Sequence, residues 1–260
     1  MKQLLLVTGV LAMAPGYAAV PPAPPQLLIT TEHSPPAIML EGERVVGYST
    51  DKIHEIMART GLSYSIDVLP WKRAYTSAVQ RPNGCVYATT RTPEREALFK
   101  WVGPTDEGAW VLLGRADRNF RLTTLDDARG LRIGTYNGDV RDDYLRARGF
   151  KVDPAPNDML NPQKLLMNRI DLWATGLRPG GGVLEQNGWA GKIIPVLVFN
   201  RVKAYLACNR AVPDALIDKM NAALDAMNRD GTARRIEQRY DNWMPRKAPG
   251  AQAGQTGQTR

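Results

Sequence analysis

The sequence predicts an α/β protein folded in two lobes, and three observations carry that expectation. Short apolar strand patterns alternate with amphipathic helix patterns from residue 27 onward, which is the mark of mostly parallel sheets covered by helices. The alternation halts and then restarts near Asp117, which places the start of a second lobe there. Once an N-terminal export signal is set aside, about 240 residues remain, enough for one large domain or two lobes.

In chain order, residues 27–31 read as a strand, followed by a turn through Ser34-Pro35-Pro36. Gly42 marks a second turn. Ile53, Ile56 and Met57 share one helical face, with Asp51 near the start of that helix and Gly61 as its stop. Tyr64, Ile66 and Val68 alternate along a strand over 63–68. Pro70-Trp71 opens a helix with Ala74, Tyr75, Ala78 and Val79 inward. Asn83-Gly84 turns the chain into a strand over 85–88. Residues 110–114 form a further strand, 125–130 a short helical turn and 131–135 a new strand. Asn137-Gly138-Asp139 then leads into a helix carrying Val140, Tyr144 and Leu145. Residues 150–152 are a short strand, 164–168 helical and 171–174 a strand. The Pro-Gly-Gly-Gly run at 179–182 is a flexible joint, and 193–198 and 203–208 are late strands. Residues 214–229 are the clearest helix, with Leu216, Met220, Ala223, Leu224 and Met227 at helical spacing. Gly231 stops it, and Thr232 caps a last helix bearing Ile236 and Tyr240.

The ends bound the biology. Lys2, the apolar run at 4–14 and the small residues Gly16 and Ala18 read as a secretory signal cleaved after Ala18, covering residues 1–18. Residues 19–26 form a Pro-rich leader. Residues 244–260, rich in Pro, Gly, Gln, Ala and Thr without apolar period, predict a disordered tail. No later apolar run is long enough for a transmembrane helix, so the mature chain is expected to be exported and soluble. The formal charge of +8 is scattered, with no Lys/Arg run and no RNA-binding aromatic signature, so no nucleic-acid partner is expected. Two cysteines in strand-like settings, Cys85 and Cys208, fit either one disulfide or two buried thiols. Two histidines cannot build a His-rich metal site. His54-Glu55 opens like a zinc-protease motif, but position 58 is Ala. Gly180-Gly181-Gly182 lacks the Lys-Ser/Thr of a phosphate loop. No cofactor, metal or catalytic triad is expected.

The chemistry concentrates in Tyr87-Ala88-Thr89-Thr90-Arg91-Thr92-Pro93-Glu94-Arg95-Glu96. Thr90 and Thr92 give or take hydrogen bonds. Arg91 and Arg95 offer forks of N–H donors that grip a carboxylate with two prongs. At a strand end such a cluster suits a small anion. The same composition also describes a solvated loop with local ion pairs.

The order of features resembles the bacterial solute-binding protein family 3, the periplasmic receptors of polar amino-acid ABC transporters. Five pieces carry the resemblance across residues 27–243. They are Pro35-Pro36 followed by Gly47-Tyr48 and Asp51; Thr92-Pro93-Glu94-Arg95 with Trp101-Val102-Gly103-Pro104; the strand and turn at 131–138; Arg169-Ile170-Asp171; and Asn221 through Gly231-Thr232 to Tyr240. The resemblance implies a periplasmic, two-lobed type II fold, each lobe a mostly parallel sheet flanked by helices, with two hinge crossings. Lobe 1 would be 27–107 plus 199–243, lobe 2 would be 117–198, and 108–116 would be a crossing. It implies a monomeric receptor that closes over a small-molecule solute and presents it to an inner-membrane ABC permease.

By the same resemblance, Arg95 would fork onto the ligand carboxylate with Thr90 beside it, and Trp71 would lie against the ligand. Asn137, Gly138 and Asp139 would offer backbone N–H groups at a helix N-terminus. Asp139 also suits a plain N-cap. The departures are as informative. Where amino-acid-binding members carry an Asp for the ligand amine, this chain has Gly176, and the opening aromatic is Ser34. Arg73 and Arg91 add positive charge, Glu32 is the substitute amine partner, and Trp173 would line the pocket from lobe 2. Two other functions share this fold: a cyclohexadienyl-type dehydratase, for which Glu32 is the only acid in place, and a ligand-sensing module of a signalling system.

Overall fold

The structure, a computed structural model, describes residues 26–177 and 183–241. The expected signal, leader, tail and 179–182 joint lie outside the described residues, except for Gln26 at the end of the leader. The chain begins with β1 (Leu27–Thr31), a hairpin of β2 (Met39–Glu41) and β3 (Arg44–Val46), α1 (Tyr48–Thr60) and β4 (Tyr64–Val68). It continues with α2 (Trp71–Gln80), β5 (Gly84–Thr90) and a single turn, α3 (Pro93–Glu96). The long strand β6 (Phe99–Arg115) leads to β7 (Arg132–Tyr136), α4 (Val140–Ala147), β8 (Lys151–Ala155), α5 (Asn161–Leu166), β9 (Leu172–Leu177) and α6 (Val183–Gln186). A second long strand, β10 (Ile193–Asn209), returns, and α7 (Asp214–Arg229) and α8 (Thr232–Gln238) follow.

Eight strands form one sheet in the order β4-β1-β5-β10-β6-β9-β7-β8. Its two ends are parallel: β1 pairs with β4 and β5, and β7 with β8 and β9. Its middle is antiparallel, because β10 pairs with β5 and β6, and β6 with β9. Each end buries its own core. Ile53, Ile56 and Met57 of α1 meet Ile217, Met220, Leu224 and Met227 of α7 over the first half. Ile133, Leu145 and Leu172 belong to a separate core under the second half. Each such side chain taken from water contributes about 1.5–3 kcal/mol before chain entropy is charged. A third cluster joins the halves, packing Tyr136 with Trp71, Phe99 and Ala207.

The structure corrects several expectations. The stretches at 110–114, 193–198 and 203–208 are not separate strands but parts of two continuous ones, β6 and β10, which pair along nearly their whole length. Gly103-Pro104 and Pro195 look like breakers, yet the ladder accommodates them at register shifts. Pro104 lies in the unpaired gap between the Leu206–Val102 and Ala204–Asp106 pairs, where no N–H is needed. Val79 is exposed, because α2 buries Trp71, Ala74 and Ala78 and turns position 79 outward. Thr232 does not cap α8. Gly231 occupies the cap at φ 77, and the Asp230 carboxylate accepts the Thr232 N–H at 2.9 Å. Tyr240 lies past the helix end and donates its hydroxyl to Asp51 at 2.9 Å. Cys85 and Cys208 face each other across the β5–β10 ladder and are bonded, with Cα atoms 4.0 Å apart and a sequence separation of 123.

Candidate functional site

Parallel strands leave a crevice beyond their carboxyl ends, and here four such ends converge: those of β1, β5, β7 and β9. Between them and the middle of β6 and β10 lies a cavity of about 180 Å³. Residues from both halves of the sheet line it, including Glu32, Trp71, Thr90 and Arg95 on one side and Tyr136, Asp139, Arg141 and Gly176 on the other. Two recesses flank it. One of about 710 Å³ runs along Arg91, Tyr144 and Arg148, and one of about 600 Å³ runs along Lys72, Met159 and Trp173.

The first wall is built around Arg95. β5 ends in an unusual way: Ala88, at φ 57, adopts a left-handed conformation that costs a non-glycine residue about 1 kcal/mol or more. It sits beside a register shift against β10, and the chain leaves the sheet at Thr90. Pro93 then starts the single turn of α3, which carries Arg95 inward to 8 % exposure. Its guanidinium carbon lies 4.9 Å from the Tyr75 ring centre and 5.9 Å from that of Trp71. Its Nη1 donates weakly to the Thr90 carbonyl at 3.4 Å. Among the described residues, no carboxylate lies within ion-pair distance of Arg95. A desolvated cation with most of its donors unused is therefore presented to the cavity.

The second wall is a paired network. Asp139 caps α4 by accepting the Arg141 N–H at 3.0 Å and holds Arg141 Nε at 2.8 and 3.0 Å. Burial pulls the Arg141 guanidinium down, but Asp139, Tyr136 and Asp158 outweigh it and hold its pKa above the ordinary value. Burial pushes the Asp139 carboxyl up, and Arg141 opposes the rise. The Tyr136 hydroxyl donates to Glu32 Oε1 at 2.6 Å, so one half of the sheet reaches the other. Burial raises the Glu32 carboxyl to about 7; Tyr136 and Arg141 pull it back, while Asp158 and Asp139 add to the rise. A second bridge runs from Trp71 Nε1, which donates to the Gly138 carbonyl at 2.9 Å. Gly138 sits at φ 79, a left-handed conformation that glycine adopts without strain.

The expected residues therefore divide. Glu32, Trp71, Thr90, Arg95 and Asp139 meet in the central cavity, and Asp139 acts there as an N-cap and ion-pair partner. Asn137 and Trp173 line the flanking recess, where Trp173 is buried and donates to Asp158 at 2.6 Å. The expected backbone donors of this turn are corrected: Gly138 presents its carbonyl, which accepts from Trp71, and the Asn137 and Asp139 N–H groups are taken up by the Ala155 and Tyr136 carbonyls at 3.0 and 3.1 Å. Arg91 does not line the central cavity. It forks onto Glu96 at 2.5 and 2.7 Å and lies over the Trp101 and Tyr205 rings. Arg73 is exposed and lines none of these three spaces, because α2 turns its inward face to Trp71 and Ala74.

Three contributors were not foreseen. Arg141 and Tyr136 flank the Asn-Gly-Asp turn, and the available signal was an Arg two residues past a capping Asp. Asp106, in β6, is neutralised by the fully buried Lys52 at 2.9 Å, and Lys52 also donates to the Thr105 carbonyl at 2.6 Å. Among the described residues, no cluster of His, Cys, Asp and Glu fits a metal, and no helix is long and apolar enough to cross a membrane.

Comparison with known proteins agrees with this architecture. No curated protein matches the chain. Among solved structures, a histidine kinase sensor domain with similarity to periplasmic binding proteins superposes with a TM-score of 0.76 at 14 % identity, covering 84 % of this chain and 96 % of that one. An ancestral arginine-binding protein bound to glutamine gives 0.72 at 21 %, covering 84 % and 98 %. The arginine-, lysine-, histidine-binding protein ArtJ from Geobacillus stearothermophilus gives 0.72 at 17 %, covering 85 % and 97 %. At such identities the likeness establishes the two-lobed α/β fold. The model of the bacterial extracellular solute-binding proteins, family 3, matches residues 27–242, and the chain belongs to that family.

Proposed function

We propose that the protein is a periplasmic receptor for a small carboxylate-bearing solute, an amino acid or a related organic acid, which it delivers to an ABC-type permease. Lobe 1 is taken as 27–107 with 199–243, lobe 2 as 117–198, and the hinge as the crossing near 108–116. The observation that carries the reading is Arg95: buried, laid over aromatic rings and free of any carboxylate among the described residues. A ligand touching both walls binds the closed form better than the open one and so drives closure. The family and its arginine- and glutamine-bound structural relatives support a solute of this size and polarity. Thermal-shift screening against amino acids, small peptides and organic acids is the test. A ligand at a hundred times its Kd should contribute about 2.7 kcal/mol. No stabilisation by any of them would overturn the receptor reading.

One observation favours a second reading. Glu32, buried in the cavity with its carboxyl raised to about 7, carries a proton part of the time near neutral pH, as a general acid must. A cyclohexadienyl-dehydratase-like activity would consume prephenate or arogenate and fail in Glu32→Gln. The likeness to a kinase sensor domain supports a third reading, signal reception, with the same ligand dependence.

A further inference from the structure

We infer that the cavity takes a ligand bearing two carboxylates, the first held by Arg95 and the second by the outer edge of the Arg141 guanidinium. This rests on the receptor reading and narrows its ligand class. Asp139 engages Arg141 only at Nε and the backbone N–H, and among the described residues nothing accepts from Nη1 or Nη2. The Arg141 side chain is only 11 % exposed and lines the cavity, so an acceptor entering there meets donors that are largely withdrawn from bulk water. Room for an acceptor exists because position 176 is glycine. A Cβ there would stand 3.1 Å from Arg141 Nη1, so any longer side chain would fill the space that a ligand group can use.

The surrounding charges agree with this assignment. Of the acids lining the cavity, Asp106 is held by Lys52, Asp139 by Arg141, and Glu107 faces Lys203 at 3.6 Å at the exposed rim. Glu32 accepts from Tyr136 and, with its carboxyl raised to about 7, carries a proton part of the time that a carboxylate can accept. An ammonium group placed beside Gly176 would meet a guanidinium. A carboxylate placed there gains charge-assisted hydrogen bonds in a desolvated site. A neutral amide fills the same space and gains less, which makes acid–amide pairs the discriminating probes.

The experiment is calorimetric titration of the purified protein with L-glutamate against L-glutamine, and glutarate against its monoamide. At least one diacid should bind at least tenfold tighter than its monoamide. Arg141→Gln in an Asp139→Asn background, which removes the buried pair together, should erase that ratio, and Arg141→Lys should retain part of it. Monoamides binding as tightly as diacids, or a ratio that survives in the double variant, would overturn the inference while leaving the receptor reading intact if binding still requires Arg95. Absence of binding by every carboxylate tested would overturn both.

Discussion

The two walls of the cavity hold one arginine each, and they hold it differently. On the first wall Arg95 rests against Tyr75 and Trp71, which lend it a favourable surface without consuming its donors. On the second wall Arg141 is tied through one edge to Asp139, so its charge is balanced while its other edge stays open. An unpaired cation pulls on any carboxylate that enters. A half-used one rewards only a group that reaches its remaining N–H donors. On the proposed reading, the first wall would supply affinity and the second discrimination.

The largest test of that contrast is Arg95→Glu. Reversing a desolvated charge should weaken binding of any carboxylate ligand by at least about a hundredfold, measured on a variant whose circular dichroism shows it folded. Unchanged affinity by calorimetry would show that the first wall has been misassigned. A smaller effect concerns the bridge between walls. Because the Glu32 carboxyl is raised from 4.5 to about 7, the arrangement with Tyr136 binds a proton more tightly than an opened one. Its contribution is full below about 4.5 and is lost as pH rises through about 7. The ceiling is about 3 kcal/mol, and water entering the cleft reduces what is observed to about 1 kcal/mol. Melting temperature between pH 5 and 8 should fall more steeply for the parent than for Glu32→Gln; parallel curves would dissociate Glu32 from the bridge. The smallest effect is Arg91→Ala, which should leave ligand affinity within about twofold because the residue faces Glu96 outside the cavity. A loss comparable to that of Arg95 would mean that the two arginines of this loop share one task.

Those two arginines also mark the limit of what the sequence makes legible. Arg91 and Arg95 have the same side chain, four residues apart, and local composition treats them alike. Their separation arises from a single turn that points Arg95 inward and leaves Arg91 within reach of Glu96. Periodicity read α7 at its observed bounds and placed the strand before Arg91, because those signals depend on neighbours in the chain. It broke β6 and β10 into pieces, because their continuity depends on each other across the sheet. In the sequence Gly176 reads as the absence of an acid. What that absence permits became visible only once α4 had brought Arg141 beside it.

The bond between Cys85 and Cys208 has a topological consequence. All of β6 to β9 and most of β10 lie within the ring it closes. The far half of the sheet is thus a covalently fastened excursion from the near half. A single protease cut between Cys85 and Cys208 would leave both fragments attached, so long as the bond stays oxidised. In the chain-entropy picture a closure of this length is worth roughly 4–5 kcal/mol to the folded state. It also rivets β5 to β10 at their root, so those strands cannot slide past each other there. On the receptor reading, a swing of the far half would flex β6 and β10, the two long strands that run from one half of the sheet to the other, as a blade bends from a clamped tang.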